Sequence, residues 1–434
     1  MLSAFGSISA LLAGVGIMTL GYGFLGTLLA VRMTVEGFAT FTSGLVMAAY
    51  FLGLVVGSLT AAKAVRAVGH IRVFAAFASL FSAATLLHVF IIDPWLWGGL
   101  RLVEGYCMAG LFLCVESWLN DRATNRTRGA VLSLYMITTY LFGGLAQFLL
   151  TLGTVEGFFL FAVTSVLASL ALVPVALSRA PAPALPEPRV FGLRRLIGIS
   201  PVGIAGCLVA GLTSGAFYGL GPRFGALTGL DSMGIAAFMG FSIFGGLLFQ
   251  VPLGRLSDRF DRRKVIVVVG LMLAAAGAAM AVVVLGPTEP SAGHLLLVLP
   301  FGGMLFAIYP LSLAHANDHI DPRDFVAASG GLILAFSVGA TIGPIAASGV
   351  MEAVGPGGLF GFIGGSGVLL AAFTGYRLRT VAAVPAPDKT PFQITPRTAL
   401  VITELDPRSE EAEDRQLSFD FGPPGGSWTR RGET

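Results

Sequence analysis

Charged residues are scarce in this sequence. Asp, Glu, Lys and Arg make up 12% of its 434 residues, whereas apolar residues make up 55%. Soluble domains carry about 25% charged residues, and no soluble shape of this length hides so much apolar surface. Apolar runs recur that are each long enough to cross a bilayer core of about 30 Å at roughly 1.5 Å per residue. The sequence therefore predicts an integral membrane protein, and its continuous runs favour helices over a barrel.

Cysteines and the motifs of enzymes are also scarce. Cys107, Cys114 and Cys207 all lie in apolar runs without metal-ligand spacing, so we expect free thiols that pack as small residues. No nucleotide-binding loop, zinc spacing or nucleophile elbow is present. We therefore expect no enzyme activity, no cofactor, no metal site and no nucleic-acid partner. An ATP-driven pump would need a nucleotide-binding domain, which the sequence does not show.

Twelve apolar segments are long enough to span a membrane. We expect spans at 5–31, 38–62, 71–92, 95–119, 130–153, 157–177, 198–221, 233–254, 265–286, 292–316, 325–350 and 356–377. The first is too long for a signal peptide and follows no Lys or Arg, so we expect it to remain as a membrane helix. The predicted fold class is an all-α integral membrane protein with twelve transmembrane helices.

Basic residues are distributed unequally between the predicted loops. With the N-terminus placed in the cytoplasm, sixteen Lys and Arg residues fall in cytoplasmic loops and two, Arg32 and Arg223, fall outside. The positive-inside rule therefore predicts a multi-pass protein of the bacterial inner (plasma) membrane with both termini in the cytoplasm. Arg32 and Arg223 depart from the rule, and three roles are open: an outer gate, attraction of an anionic solute, or snorkelling into lipid headgroups.

The two halves of the chain resemble each other at a constant spacing. An offset of 197 residues joins four glycine pairs and the two Asn-Asp pairs: Gly6 and Gly203, Gly14 and Gly211, Gly37 and Gly234, Gly57 and Gly254, Asn120-Asp121 and Asn317-Asp318. This repeat predicts two pseudo-symmetric six-helix bundles, at 1–177 and 198–378. A proline-rich, partly basic cytoplasmic linker lies between them at 178–197. Residues 379–434 are rich in proline and acidic side chains, and we expect a disordered cytoplasmic tail.

The charged loop between the eighth and ninth spans carries a specific motif. Residues 254–264 hold seven charges in the pattern G-x-L-x-D-R-x-x-R-R-K. This pattern resembles the loop signature of the major facilitator superfamily of transporters, whose two six-helix halves rock around a central site. The resemblance implies gating roles for the loop and its counterparts, namely Gly57, Gly254, Asp258, Arg259, Arg263 and Asp318. Ala61 stands opposite Asp258 in the first half, so we do not expect charge locking there.

Ionisable residues within the fourth span are candidates for proton coupling. Arg101 and Glu104 share one helix face, and charges inside a bilayer have to face the protein interior or a water-filled cavity. The run 101–105 resembles the R-x-x-Q-G motif of proton-coupled facilitators, with Glu104 in place of Gln. The resemblance implies a coupling role, and a purely structural salt bridge is the alternative. Glu116 on the same helix is a third candidate, or an interfacial carboxylate paired with a loop arginine.

Polar side chains on four spans are the candidates for substrate binding. The family arrangement places the first, fourth, seventh and tenth spans around the cavity. The candidates are Tyr22, Arg101, Glu104, Tyr218, Tyr309 and His315. A tyrosine suits a cavity wall through its ring and hydroxyl, but it also suits a helix interface. The elements A-H-A-N-D, E-S-W-L-N and V-G-H-I-R are similar to those of an uncharacterised bacterial branch of the superfamily.

Together these features predict a secondary transporter that moves a small molecule by alternating access, with protons as the coupling ion. A mostly apolar cavity with few charges favours amphipathic drugs or metabolites, including their efflux. The alternative function is a non-transporting membrane sensor or assembly partner that keeps the fold, and the long tail supports it. We expect a monomer in the lipid bilayer.

Overall fold

The described part of the chain is almost entirely helical. A computed structural model describes residues 2–124, 127–177, 183, 192–285, 292–321, 324–385 and 389–393. Its helices are α1 (Leu2–Val35), α2 (Thr40–Val68), α3 (His70–Phe90), α4 (Pro94–Arg122), α5 (Arg128–Gln147), α6 (Phe159–Leu170), α7 (Leu172–Ala176), α8 (Leu193–Ile199), α9 (Pro201–Leu227), α10 (Ser232–Arg259), α11 (Arg262–Leu285), α12 (Ala292–Asn317), α13 (Phe325–Val354) and α14 (Gly358–Thr380). A 3₁₀ turn, Phe148–Leu152, continues α5.

The predicted twelve spans are confirmed. Within the described residues, twelve helical segments are long and apolar enough to cross a membrane, with α6 and α7 together forming the sixth at Phe159–Ala176. The loops that follow α2, α4, α10 and α12 lie at one end of the bundle, which we call the basic end. The loops that follow α1, α3, α9 and α13 lie at the opposite end. Each half is therefore a bundle of six antiparallel segments, as the fold class predicted.

Glycines allow pairs of helices in each half to cross at backbone contact. A Cβ added at Gly53 or Gly105 would lie 2.1 Å or 2.0 Å from a backbone oxygen across the α2–α4 crossing. The α10–α12 crossing has the same construction, with 2.0 Å at Gly245 and 1.9 Å at Gly302. Small residues are the usual means of close helix packing in lipid, where the hydrophobic effect does not drive helices together.

The repeat is real, but its predicted register is wrong for the first two spans. Gly37 and Gly229 lie two residues beyond the ends of α1 and α9, and both adopt the left-handed region, at φ +72° and +82°. Because α2 begins at Thr40 and α10 at Ser232, the offset there is 192 residues rather than 197. The offset of 197 holds for α4 and α12. The backbone oxygen of Leu102 is the atom nearest to a Cβ added at Gly53, and the backbone oxygen of Leu299 is the atom nearest to one added at Gly245. The second half is therefore five residues longer between these helices.

The corrected register changes the counterpart of Gly254. Ala62, and not Gly57, takes the place of Gly254 in the first half, and Arg66 takes the place of Asp258. Gly57 packs α2 onto α4, where an added Cβ would meet the Ala109 Cβ at 2.6 Å. The expectation that the first half lacks the motif aspartate stands, although the residue at that position is Arg66 and not Ala61.

The junctions between the predicted regions also differ in detail. Much of the predicted linker, 178–182 and 184–191, lies outside the described residues. Its end forms helix α8, and the first membrane helix of the second half begins at Pro201, where the Ser200 hydroxyl accepts from the Gly203 N–H. Helix α14 continues to Thr380, and residues 389–393 of the predicted disordered tail are placed against the basic end.

Adding one methyl group to Gly105 should separate α4 from α2. In Gly105→Ala, the new Cβ has to displace the Tyr50 backbone, and overpacking of this kind costs about 1–3 kcal/mol. Gly99→Ala on the same helix is the matched control, because nothing lies within 4 Å of its added Cβ. We expect a lower midpoint of thermal unfolding in detergent for Gly105→Ala alone. Equal midpoints in the two variants would contradict the close crossing.

Candidate functional site

A central cavity of about 210 Å³ lies between the two halves. Its walls come from α1, α2, α4 and α5 of the first half and from α9, α10, α12 and α13 of the second. The first, fourth, seventh and tenth spans contribute, as the family arrangement implied. Both halves therefore supply side chains to one site, and any movement of one half against the other changes its shape.

Tyrosine is concentrated at this cavity. Six of the chain's eight tyrosines line it: Tyr22, Tyr50, Tyr135, Tyr140, Tyr218 and Tyr309. The sequence analysis named Tyr22, Tyr218 and Tyr309 and missed the other three, which lie on α2 and α5. Tyr140 receives a hydrogen bond from Gln250 of α10, so it also joins the halves. The sequence contained a signal for the three missed tyrosines, because tyrosine is rare in the apolar spans and a buried tyrosine needs a hydrogen-bond partner for its hydroxyl.

Arg101 and Glu104 form a buried ion pair beside the cavity. Arg101 Nη1 donates to Glu104 Oε2 at 2.9 Å, and the guanidinium carbon lies 4.2 Å from the centre of the Tyr50 ring. Arg101 lines the cavity, whereas Glu104 is 0% exposed and lies outside the lining. Glu104 is therefore not placed to contact a substrate directly, contrary to one of its two predicted roles. It can act on the cavity through Arg101.

A histidine on α3 completes this buried cluster. His88 Nδ1 lies 3.5 Å from Glu104 Oε1 and 2.9 Å from the Ala84 carbonyl oxygen, and the imidazole is fully buried. The sequence analysis missed His88 because it lies in a different span. Only the packing of α3 against α4 brings it to Glu104.

Two other candidates lie away from the positions that were expected. Glu116 is buried and accepts a hydrogen bond of 2.8 Å from the hydroxyl of Tyr135, which lines the cavity. His315 does not line the cavity. It lies at the basic end, where its ring packs 4.7 Å from that of His319. His315 therefore lies away from the cavity in this conformation, and its predicted role in substrate binding stays a prediction.

Arg223 joins the two halves at the opposite end of the bundle. From α9 it donates to the Phe38 carbonyl oxygen at 2.6 Å and to the Ser43 hydroxyl at 3.0 Å, with longer bonds to the Thr34 and Thr40 hydroxyls. All four acceptors belong to the first half. Both outlying arginines are buried, so snorkelling into headgroups is wrong for them. Arg32 bonds within its own half, to Val155 and Glu36.

The helix contacts between the halves also lie towards the opposite end. Pro344 and Ser348 of α13 pack on Gly44 of α2. Along α5 and α10, Gly240 meets Phe148, and Gly144 meets Phe244. The Tyr140–Gln250 bond is the next contact towards the basic end. The structure therefore closes the cavity at the opposite end, where these contacts lie.

The motif loop forms an ion cluster inside the second half. Arg262 is 1% exposed, and its side chain reaches Asp318 at 2.6 Å and Asp258 at 3.0 Å. Arg263 pairs with Asp261 at 2.8 Å. Partial burial acts to raise the pKa of Asp261, but the hydrogen bonds from Arg263 outweigh it and lower that pKa below its ordinary value.

Three of the residues with predicted gating roles belong to this cluster. They are Asp258, Arg263 and Asp318, whereas Arg259 is exposed. Their gating roles stay predictions. Arg262 was not among the named gating residues, although it is the one that joins both aspartates. Periodicity could not distinguish Arg262 from its neighbours, because four basic residues lie within the six positions 259–264. Only the tertiary structure shows that the Arg262 side chain is the most deeply buried of the four.

Comparisons with known proteins agree with this geometry. A family model described as Major Facilitator Superfamily matches residues 228–407. The uncharacterized MFS-type transporter YcaD of Escherichia coli (strain K12 / DH10B) is 26% identical over 339 residues, covering 78% of this chain and 87% of YcaD. The fold is similar to that of the nucleoside transporter NupG, with a TM-score of 0.66 and 13% identity over 85% of this chain and 98% of NupG. It is also similar to that of a D-xylose–proton symporter, with a TM-score of 0.62 and 14% identity over 89% and 98% of the two chains.

Replacing Arg223 should weaken closure at the opposite end. Arg223→Gln removes a cation that has four acceptors on the other half, and charged hydrogen bonds contribute about 1.5–3 kcal/mol each when buried. We expect a cysteine introduced at Thr19, in the cavity, to react faster with a membrane-impermeant maleimide applied from that end. Arg32→Gln is the matched control, since Arg32 bonds within one half. Equal labelling rates in the two variants would rule out Arg223 as a gate.

Proposed function

Because the chain belongs to the major facilitator superfamily of membrane transporters, we propose that it is a proton-coupled carrier of an uncharged, hydroxyl-bearing small molecule. Its cavity opens in turn to each side of a bacterial inner membrane. The observation that carries the proposal is the composition of the cavity wall. Six tyrosines surround one arginine, and that arginine is already paired with a buried carboxylate.

The positive-inside rule supports the orientation of the carrier. The loops at the basic end, together with the segment that joins the two halves, hold sixteen of the chain's 27 Lys and Arg residues, so we place this end and both termini in the cytoplasm. The described conformation is then inward-facing, with its outer end closed through Arg223. Inward and outward states interconvert when one half rocks against the other.

The Arg101–Glu104 pair supports proton coupling. A buried carboxylate beside an arginine is an ion pair when ionised, and protonation of the carboxylate ends that pairing. Arg101 would then be free to turn its Nη1 donor towards a solute in the cavity. Uptake of a proton by Glu104 and binding of solute by Arg101 are therefore linked through one hydrogen bond. His88, 3.5 Å from the same carboxylate, is positioned to bias which state is favoured.

The cavity wall supports an uncharged solute. Among the described residues that line it, Arg101 is the charged side chain, and Glu104 balances its charge. A cationic drug would find no counter-ion on this wall, which argues against the amphipathic drugs that composition alone favoured. Tyrosine rings offer flat surfaces, and their hydroxyls both donate and accept hydrogen bonds. Nucleosides and sugars have this complementary chemistry, and the names of two similar structures, a nucleoside transporter and a D-xylose–proton symporter, point the same way.

A ligand screen tests the substrate class. In thermal-shift assays on purified protein, we expect nucleosides or sugars to raise the unfolding midpoint, by about 2–4 °C for each kcal/mol of stabilisation by binding. Aromatic cations should leave it unchanged. Tyr218→Phe removes one cavity hydroxyl and should reduce the shift, whereas Tyr376→Phe should not, because Tyr376 is 63% exposed and does not line the cavity. A shift with cations alone would contradict the proposal.

Neutralising Glu104 tests the coupling mechanism. Glu104→Gln keeps an oxygen that can accept from Arg101 but cannot release a proton. In proteoliposomes, with a ligand from the screen, we expect pH-driven accumulation to fall to the level without a gradient, while exchange stays within about twofold, a difference below about 0.5 kcal/mol.

Glu116→Gln is the matched control, because Glu116 is buried on the same helix and bonds to Tyr135. It should keep accumulation. If Glu116→Gln abolishes accumulation and Glu104→Gln does not, the proton carrier is Glu116 and the proposed mechanism is wrong.

A further inference from the structure

Five residues of the C-terminal tail are bound at the basic end of the second half. We call residues 389–393 the tail segment. The Phe392 N–H donates to both carboxylate oxygens of Asp258, at 3.1 Å and 3.2 Å. The N–H and hydroxyl of Thr390 each donate to Asp318 Oδ1 at 3.0 Å. Asp258 and Asp318, the two aspartates that pair with Arg262, are therefore both bonded to the backbone of the tail segment.

Basic side chains on both sides of the contact also join the tail segment to the motif loop. Arg262 Nη2 donates to the Thr390 carbonyl oxygen, and Lys389 Nζ donates to the Phe260 carbonyl oxygen. Since Arg262 also pairs with Asp258 and Asp318, one buried guanidinium links the tail segment to the motif loop and to the end of α12. The contact therefore includes charged hydrogen bonds that are partly screened from water, which are the stronger kind.

Gly254 provides the surface on which Phe392 packs. A Cβ added at Gly254 would lie 2.0 Å from the Phe392 ring, so any larger residue would displace the ring. The sequence analysis gave Gly254 a gating role, as part of the motif loop. In this structure it accommodates an aromatic side chain of the tail, and Phe392 packs against the edge of the hydrophobic core.

The surface under Phe392 continues the face through which α10 meets α5. These antiparallel helices pair Phe148 with Gly240, Gly144 with Phe244, and Tyr140 with Gln250. On α5 each step is four residues, and on α10 the steps are four and then six, so both helices advance by one to two turns towards the basic end at each step. The next pair in this series is Met136 with Gly254. Phe392 covers that position on α10, and the tail segment also bonds Asp258 one turn further on.

We propose that the face of α10 formed by Gln250, Gly254 and Asp258 is a binding site for the chain's own tail segment, and that the segment has to leave this site before the basic end can close. The inference rests on the proposed alternating access. Closure brings the first turns of α5 towards Gly254 and Asp258, which the tail segment covers. The bound tail therefore stabilises the conformation that is open at the basic end, and its release permits the other one.

The chemistry of the site fits an exchange of this kind. The first N–H groups of a helix have no acceptor within the helix and attract a carboxylate. The N-terminus of α5, at Arg128, lies at the basic end and points the same way along the series of pairs. The N–H of Phe392 gives Asp258 the type of donor that the start of α5 would supply after closure. One carboxylate thus serves two mutually exclusive partners.

Distance measurements between spin labels test the proposal without a substrate or a proton gradient. Labels at Ser133→Cys on α5 and Arg255→Cys on α10 report on the gap, since both positions are exposed and the three native cysteines are buried. The proteins to compare are the full chain, a chain ending at Gln393, a chain ending at Thr380, and the full-length variant Phe392→Ala. Ending at Gln393 is the matched control, because it shortens the tail but keeps the tail segment.

We expect the chain ending at Gln393 to match the full chain. The chain ending at Thr380 and Phe392→Ala should each raise the ratio of short to long distances at least about fivefold, since both lose the partly buried aromatic anchor of the tail segment. Unchanged distances in both variants would overturn the proposal, as would an equal change in the chain ending at Gln393. A shift in distances without any solute transport would leave the tail site standing and refute the proposed function alone.

Discussion

Every ion that lies within the membrane-spanning part of this protein has to find its partner inside the protein. A charge exposed to hydrocarbon costs several kcal/mol, so buried arginines and carboxylates are retained only where side chains or carbonyl groups satisfy them. Three arginines illustrate the constraint. Arg101 pairs with Glu104, Arg223 bonds to oxygens of the opposite half, and Arg262 pairs with Asp258 and Asp318. Each lies where the halves or their helices move relative to each other.

These three arginines lie at different levels of the molecule. Arg223 reaches across the interface between the halves, at the end opposite the basic end. Arg101 lies beside the cavity and pairs with Glu104, which we propose links proton uptake to solute binding. Arg262 stays within the second half and organises the surface that binds the tail segment. Because each arginine depends on a different partner, the two ends of the cavity and its centre can respond to different events.

The two halves share a fold but not their surface chemistry at the basic end. In the corrected register, Arg66 and His70 of the first half stand at the positions of Asp258 and Arg262. The first half therefore cannot build the same ion cluster, and the contacts of the tail segment described here are all with the second half. The basic end is accordingly asymmetric between the two halves, although the helices that form it are related by the repeat.

Composition was sufficient for the twelve spans, because long apolar segments have few alternatives in lipid, and the loop motif at 254–264 carried the resemblance to the superfamily. The same reasoning found Arg101, Glu104 and Asp258, since a charge inside an apolar run is conspicuous. It could not find His88, Tyr135 or Phe392, which belong to other segments and reach the site only through helix packing. It also misplaced Gly57, because five extra residues between the third and fourth spans of the repeat alter the register. Which side chains meet across helices is decided by crossing geometry, and that geometry depends on contacts that are distant in sequence.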